Sequence, residues 1–180
     1  VGVGFGVYLA TDFGATGDGV TVNTTTIQNA IDLVSAAGGG DLLFPAGIYL
    51  SGALNLRDNV RLIGANQTAT LKFNNSGVTG VTFIEANSVS NVGLADLIVD
   101  TSEAPHTDNR GCVAIFHRGV TSAANDLTVM GCKFIGGLLR PYLDFQSTLA
   151  SRGVTIDNCE FVGRATLTPD TPPRPQFTQG

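Results

Sequence analysis

Ionisable and hydrogen-bonding side chains gather in two short stretches of a chain that is only 14% charged. The first runs from Asp100 through Thr101, Ser102, Glu103, Ala104, Pro105, His106, Thr107, Asp108 and Asn109 to Arg110, with His117 and Arg118 soon after. The second is Arg140, Pro141, Tyr142, Leu143, Asp144, Phe145 and Gln146. Two kinds of chemistry suit these residue types. A pair of carboxyl groups, drawn from Asp100, Asp108 and Asp144, could act as the acid and base of glycosidic-bond hydrolysis. A cation beside a base could instead remove a proton from a carbon next to a carboxylate, with Arg140 neutralising that carboxylate and Tyr142 or His117 moving the proton. The catalytic candidates are therefore Asp144, Arg140, Tyr142, Asp108 and His117. Asp100, His106, Arg110 and Arg118 are the candidates for holding a substrate. A single polar residue in such a stretch is ordinarily a solvated turn residue. The chemistry requires both stretches to leave the fold on one side.

The elements that must position them are short. A helix over about 24–37 is predicted from Ile27, Ala30, Ile31 and Val34 at helical spacing, with hydroxyls of Thr24 to Thr26 as caps and Gly38, Gly39 and Gly40 as the stop. After it, brief apolar runs separated by Gly, Asn, Ser and Asp read as strands: 41–44, 60–63, 70–73, 81–84, 92–99, 113–116, 127–135 and 154–162. The stretch 140–146 reads as an insertion between two of them. Leu127–Gly136 also aligns without a gap on Val154–Gly163, an offset of 27 residues (159 − 132). Such a period belongs to a solenoid, in which no coil buries its apolar face alone. Stacking would set Cys132 by Cys159 and Phe134 by Phe161. Three Cys with no CxxC argue against a zinc site or a dense disulfide framework, and buried free thiols are the expected state.

One ordered set of motifs is specific. Thr11–Gly19 (TDFGATGDG), Thr26–Asp32 (TIQNAID), Gly38–Gly40 and Phe44–Leu50 (FPAGIYL) together resemble the opening of pectate-lyase-like proteins. This superfamily includes polygalacturonases, alginate epimerases and phage tailspike depolymerases. The resemblance covers about the first third of the chain. It implies an all-β fold, a right-handed single-stranded parallel β-helix over residues 1–165 with an N-terminal capping helix. A Pro-rich tail or linker follows at 166–180, where Pro169, Pro172, Pro173 and Pro175 rule out an interior strand. Many relatives carry paired acidic residues after the Gly-Asp-Gly, where this chain has Val22 and Asn23. The Asn-Thr-Asp, Asp-Asp, Gly-His-Gly and Arg-Ile-Lys motifs of polygalacturonases are missing. The Asp-Pro-His-Glu motif of alginate epimerases has its nearest counterpart in Tyr142–Gln146, which lacks the His. Calcium follows only by analogy with the family, since no acidic loop of known spacing appears. Fold does not name the reaction.

The net charge of −5 and the lack of a basic stripe exclude a typical nucleic-acid binder, and no apolar run is long enough to cross a membrane. Val1 at the start reads as a processed or partial chain. Asn23, Asn66 and Asn74 form Asn-x-Ser/Thr sequons that chance explains in so Thr-rich a chain. The leading expectation is an extracellular or virion-surface module, tailspike-like and homotrimeric or in a larger assembly, that contacts or degrades host polysaccharide. The alternatives are the N-terminal part of a secreted microbial polysaccharide lyase or hydrolase, and a purely structural module.

Overall fold

The computed structural model describes residues 6–74, 82–102, 113–119, 125–136, 143–147 and 152–163, with only the backbone in 113–119, 125, 143–147 and 152. The chain winds into a parallel solenoid of three sheets. The first sheet stacks β1 (Gly6–Leu9), β3 (Gly40–Phe44), β6 (Val60–Gly64), β9 (Ser90–Ala95), β12 (Asn125–Met130) and β15 (Arg152–Asp157). The second stacks β2 (Asp18–Val22), β4 (Gly47–Ser51), β7 (Ala69–Phe73), β10 (Leu97–Asp100), β13 (Lys133–Ile135) and β16 (Glu160–Val162). The third stacks β5 (Leu54–Asn55), β8 (Thr82–Asn87), β11 (Val113–Gly119) and β14 (Leu143–Ser147). Each full turn contributes one strand to each sheet, as expected for a right-handed parallel β-helix.

Alternation decides which side chains fill the interior. In β3, Leu42 and Phe44 are buried while Asp41 and Leu43 lie outside. The same parity recurs in the coils above, where Leu62, Leu94 and Val129 continue the column over Leu42. The 27-residue repeat is a true register, since Leu127 pairs with Val154 and Val129 with Ile156. Phe134 and Phe161 stack with ring centroids 5.2 Å apart and planes 10° from parallel. Cys132 and Cys159 are both free thiols. Where the sequence suggested one long strand over 92–99, the chain bends at Asp96, whose φ is 51°. The stretches 127–135 and 154–162 break in the same way, at Gly131 (φ 60°) and Asn158 (φ 48°). Apolar runs hide such corners because one left-handed residue suffices to turn the chain.

Helix α1 (Thr24–Ala36) closes the first coil and buries Ile27, Ala30, Ile31 and Val34. Covering each Ile is worth about 1.5–3 kcal/mol, enough to hold a short helix whose own propensity is marginal. The expected hydroxyl cap is not formed. Asn23 is the N-cap and makes no side-chain bond to the helix. It is 1% exposed, donates to the carbonyls of Thr16 (2.9 Å) and Thr21 (2.8 Å), and accepts from the Thr16 amide (2.7 Å). Its side chain ties down the loop before the helix. Thr24 Oγ1 instead accepts from the Gly52 amide at 2.6 Å, joining the helix to the next coil. Gly38 (φ 102°) and Gly39 (φ 100°) end the helix in left-handed geometry that side chains resist. Among the described residues no helix is long and apolar enough to cross a membrane.

Candidate functional site

Both polar stretches fall where the chain passes from the second sheet to the third. The connections from the second sheet to the third are 52–53, 74–81, 101–112 and 136–142 in successive coils. The first candidate stretch is the third of these, and the second candidate stretch begins within the fourth. Both therefore leave the second sheet at one corner, a single coil apart. Parallel strands lie about 4.8 Å apart, so consecutive connections start as near neighbours.

Their starting points are locked together. Asp100 ends β10, and its Oδ1 accepts from the Ser102 amide at 2.8 Å, which begins the turn away from the sheet. Thr101 is 1% exposed, and its amide (2.8 Å) and hydroxyl (3.2 Å) both donate to the Ile135 carbonyl. Gly136, directly above, has φ 113°, and a Cβ there would come within 2.6 Å of Thr101 Oγ1. Thr101 and Gly136 thus set where both connections depart. Sequence reasoning missed this pair, because each looks like an ordinary turn residue until the coils are stacked.

On the outer face of the second sheet, Asp100 shares a rung with Leu50, Lys72 and Ile135. The neighbouring rung carries Ile48, Thr70, Ile98, Lys133 and Glu160, with Lys133 Nζ 3.1 Å from Glu160 Oε2. In the third sheet, Asp144 pairs with Phe116, which pairs with Glu85. Arg118 pairs with Asn87 and with Gln146. These two rungs share the parity of Glu85 and Asn87, which reach solvent, whereas His117 pairs with Ala86, which is buried. The backbone thus brings Asp144 and Arg118 onto adjacent strands with matching parity, and places His117 on the alternate rung. His106, Asp108, Arg110, Arg140 and Tyr142 lie outside the described residues.

One expectation changes. The stretch 140–146 is not wholly an insertion, because β14 occupies Leu143–Ser147 and pairs with β11 from Ile115↔Leu143 to Gly119↔Ser147. The alternation of Leu143 and Phe145 with Asp144 and Gln146 was its only signal, too short to stand out. Tyr49, on β4, belongs to the interior. It is buried, stacks edge-on against Phe44 at 5.1 Å, and donates its hydroxyl to the Pro45 carbonyl at 3.1 Å. Burial raises its pKa accordingly. Among the described residues no group of three or more His, Cys, Asp or Glu gathers in a way that could hold a metal ion.

A coiled parallel ladder with long connections on one corner defines a class of protein. The model of the rhamnogalacturonase A/epimerase, pectate lyase-like family matches residues 9–161, and the chain belongs to that family. It is 40% identical over 106 residues to mannuronan C5-epimerase AlgE1 of Azotobacter vinelandii, a match spanning 52% of this chain and 8% of that protein. Alginate lyase 7 of the same organism is 32% identical over 131 residues, or 66% of this chain and 15% of the lyase. The chain therefore matches only a small part of either relative. Among solved structures, the A-module of A. vinelandii mannuronan C-5 epimerase AlgE6 superposes with a TM-score of 0.63 and 26% identity, covering 84% of this chain and 43% of the module. Tailspike protein gp49 of Acinetobacter baumannii bacteriophage Fri1, a capsular polysaccharide depolymerase, reaches 0.60 at 14% identity, with 85% and 30% covered. At that identity the tailspike likeness concerns the fold alone.

Proposed function

We propose that this chain is part of a polysaccharide-modifying protein whose substrate is a polyuronate, bound along the corner between the second and third sheets. The observation that carries the reading is the departure of both polar connections from one corner, one coil apart, beside the strands that carry Asp144 and Arg118 at matching parity. The epimerase and lyase relatives support the choice of a uronic acid polymer over a neutral one. They also favour a secreted enzyme over the virion-surface module, for which the tailspike's likeness in fold is the support.

The chemistry begins at the sugar carboxylate. Arg140 holds that carboxylate and offsets the negative charge that builds when the adjacent C5 proton leaves. Tyr142 takes or returns the proton. Return of a proton to the opposite face of C5 gives the epimer. Loss of the O4 substituent from the same carbanion gives chain cleavage and an unsaturated uronate. Asp144 or Asp108 sets the protonation of the base or meets a sugar hydroxyl, while Asp100, His106, Arg110 and Arg118 are the residues proposed to hold the substrate. The test is incubation of the purified chain with polymannuronate, followed by proton NMR for guluronate and ultraviolet absorbance for unsaturated ends. Either product supports the reading. A polymer unchanged in composition and length, with no binding detectable by calorimetry, overturns it.

A further inference from the structure

We propose that Cys132 and Cys159 are an oxidisable pair, able to form one disulfide that staples the final described coil to the coil beneath it. Lys133 pairs with Glu160 and Phe134 with Phe161, so the two Cys are register equivalents immediately before those strands. The Glu160 amide donates to the Cys132 carbonyl at 2.9 Å, which fixes the coil offset at the pair itself. In-register parallel residues lie about 4.8 Å apart at Cα, within the range a disulfide spans. Cys159 Sγ leans toward the lower coil and lies 3.6 Å from the Val129 carbonyl, as well as 3.3 Å from that of Asp157. Cys132 Sγ lies 3.4 Å from the Met130 carbonyl. Beneath Cys132 the same column continues with Leu97 and Ala69, so within it Cys159 is the thiol that Cys132 meets.

The corner allows the small approach that bonding needs. Each Cys follows a left-handed residue, Gly131 (φ 60°) or Asn158 (φ 48°), and lies outside the regular ladder. The location also gives the bond a consequence. Above β12, the interior column passes from buried Leu127 and Val129 to Val154 and Ile156, which are 40% and 39% exposed. Among the described residues β15 has a ladder neighbour on one side only, so a covalent link here would add to the single ladder that holds it.

Buried Cys132 is a poor first nucleophile, because desolvation pushes its thiol up to about 12. The half-buried Cys159 reacts first. Its thiolate attacks one sulfur of a low-molecular-weight disulfide such as oxidised glutathione, forming a mixed disulfide and releasing one glutathione thiolate. Cys132 then gives up its proton and attacks Cys159 Sγ, breaking the mixed bond and releasing the second glutathione. Two protein thiols lose two protons and two electrons, and one glutathione disulfide becomes two glutathiones.

The test uses the full chain carrying Cys112→Ser, incubated folded with oxidised glutathione and then analysed by intact mass and peptide mapping. The expected result is a loss of two hydrogens, a thiol count falling from two to none, and one peptide pair joining 132 to 159. Proteolysis of the final coil should slow by about tenfold to a hundredfold, reversibly with dithiothreitol. Cys159→Ser should abolish both effects. Should Cys112→Ser fold poorly, mapping of the unsubstituted chain gives the same linkage. A stable glutathione adduct on Cys159 that never closes, or closure only in urea, overturns the proposal.

Discussion

The corner between the first and second sheets and the corner between the second and third use the same strands and obey opposite rules. After the first coil, where residues 10–17 make the turn, the first corner is crossed by very short connections, 45–46, 65–68, 96, 131–132 and 158–159 in successive coils. It turns on left-handed residues, Asn66, Asp96, Gly131 and Asn158, and bonds itself coil to coil. The Gln67 amide donates to the Asp96 carbonyl at 2.9 Å, that of Asp96 to Met130 at 3.0 Å, and that of Gly131 to Asp157 at 3.0 Å. At the other corner the connection is only 52–53 in one coil but lengthens to 74–81, 101–112 and 136–142 in the next ones, long enough to carry polar groups that the ladder does not need. One corner therefore holds the register and the other is free to vary. A solenoid can change its chemistry at the second without disturbing the first.

The largest effects expected from this contrast are on activity. Asp144→Asn or Arg140→Ala should lower turnover of a polyuronate by about 10²-fold to 10⁴-fold while stability in urea stays within about 0.5 kcal/mol. Unchanged turnover in both variants would remove the site from the long corner. Next in size is Gly131→Val at the tight corner. Its φ of 60° and the clash of an added Cβ with Asp96 Oδ1 should cost about 3 kcal/mol, read as a lower urea midpoint with activity per folded molecule retained.

Alkaline titration reads the tight corner again. Cys132 has a folded pKa raised from 9.0 to about 12, so the folded state holds that proton longer than the unfolded chain does. Its contribution is complete below pH 9.0 and is lost as pH rises toward 12. The unsubstituted chain should lose stability more steeply over that window than Cys132→Ala, measured by denaturant melts at matched ionic strength. The smallest effect should come from four Gly and Ser residues inserted after Ala104. Loop-closure entropy grows slowly, so a cost below about 0.6 kcal/mol is expected. A loss of several kcal/mol would mean that the long corner also holds the register.

Much of the architecture was legible. The Phe and Cys offsets foretold the stacking because a parallel ladder puts equal sequence positions over one another. The apolar face of α1 foretold its burial residue by residue. Legibility failed where a structural role needs one residue. Asp96 splits a run that looks continuous, Asn23 serves a loop and not the helix it precedes, and β14 carries too few alternations to be seen. The candidate site was legible as composition only. Asp144, Arg118 and Asp100 stand out by type, but that two stretches share a corner depends on how many residues each coil takes to come round.

By itself, then, the sequence determined the solenoid, its helix cap and the coil-to-coil match of its repeated strands, because alternation and period are local and repeat along the chain. The tertiary structure decided where each apolar run breaks at a corner, which rungs share a parity, and that the connections bearing the polar stretches leave one corner a coil apart. Those depend on the register of strands far apart in sequence, which is set only when the coils close on one another.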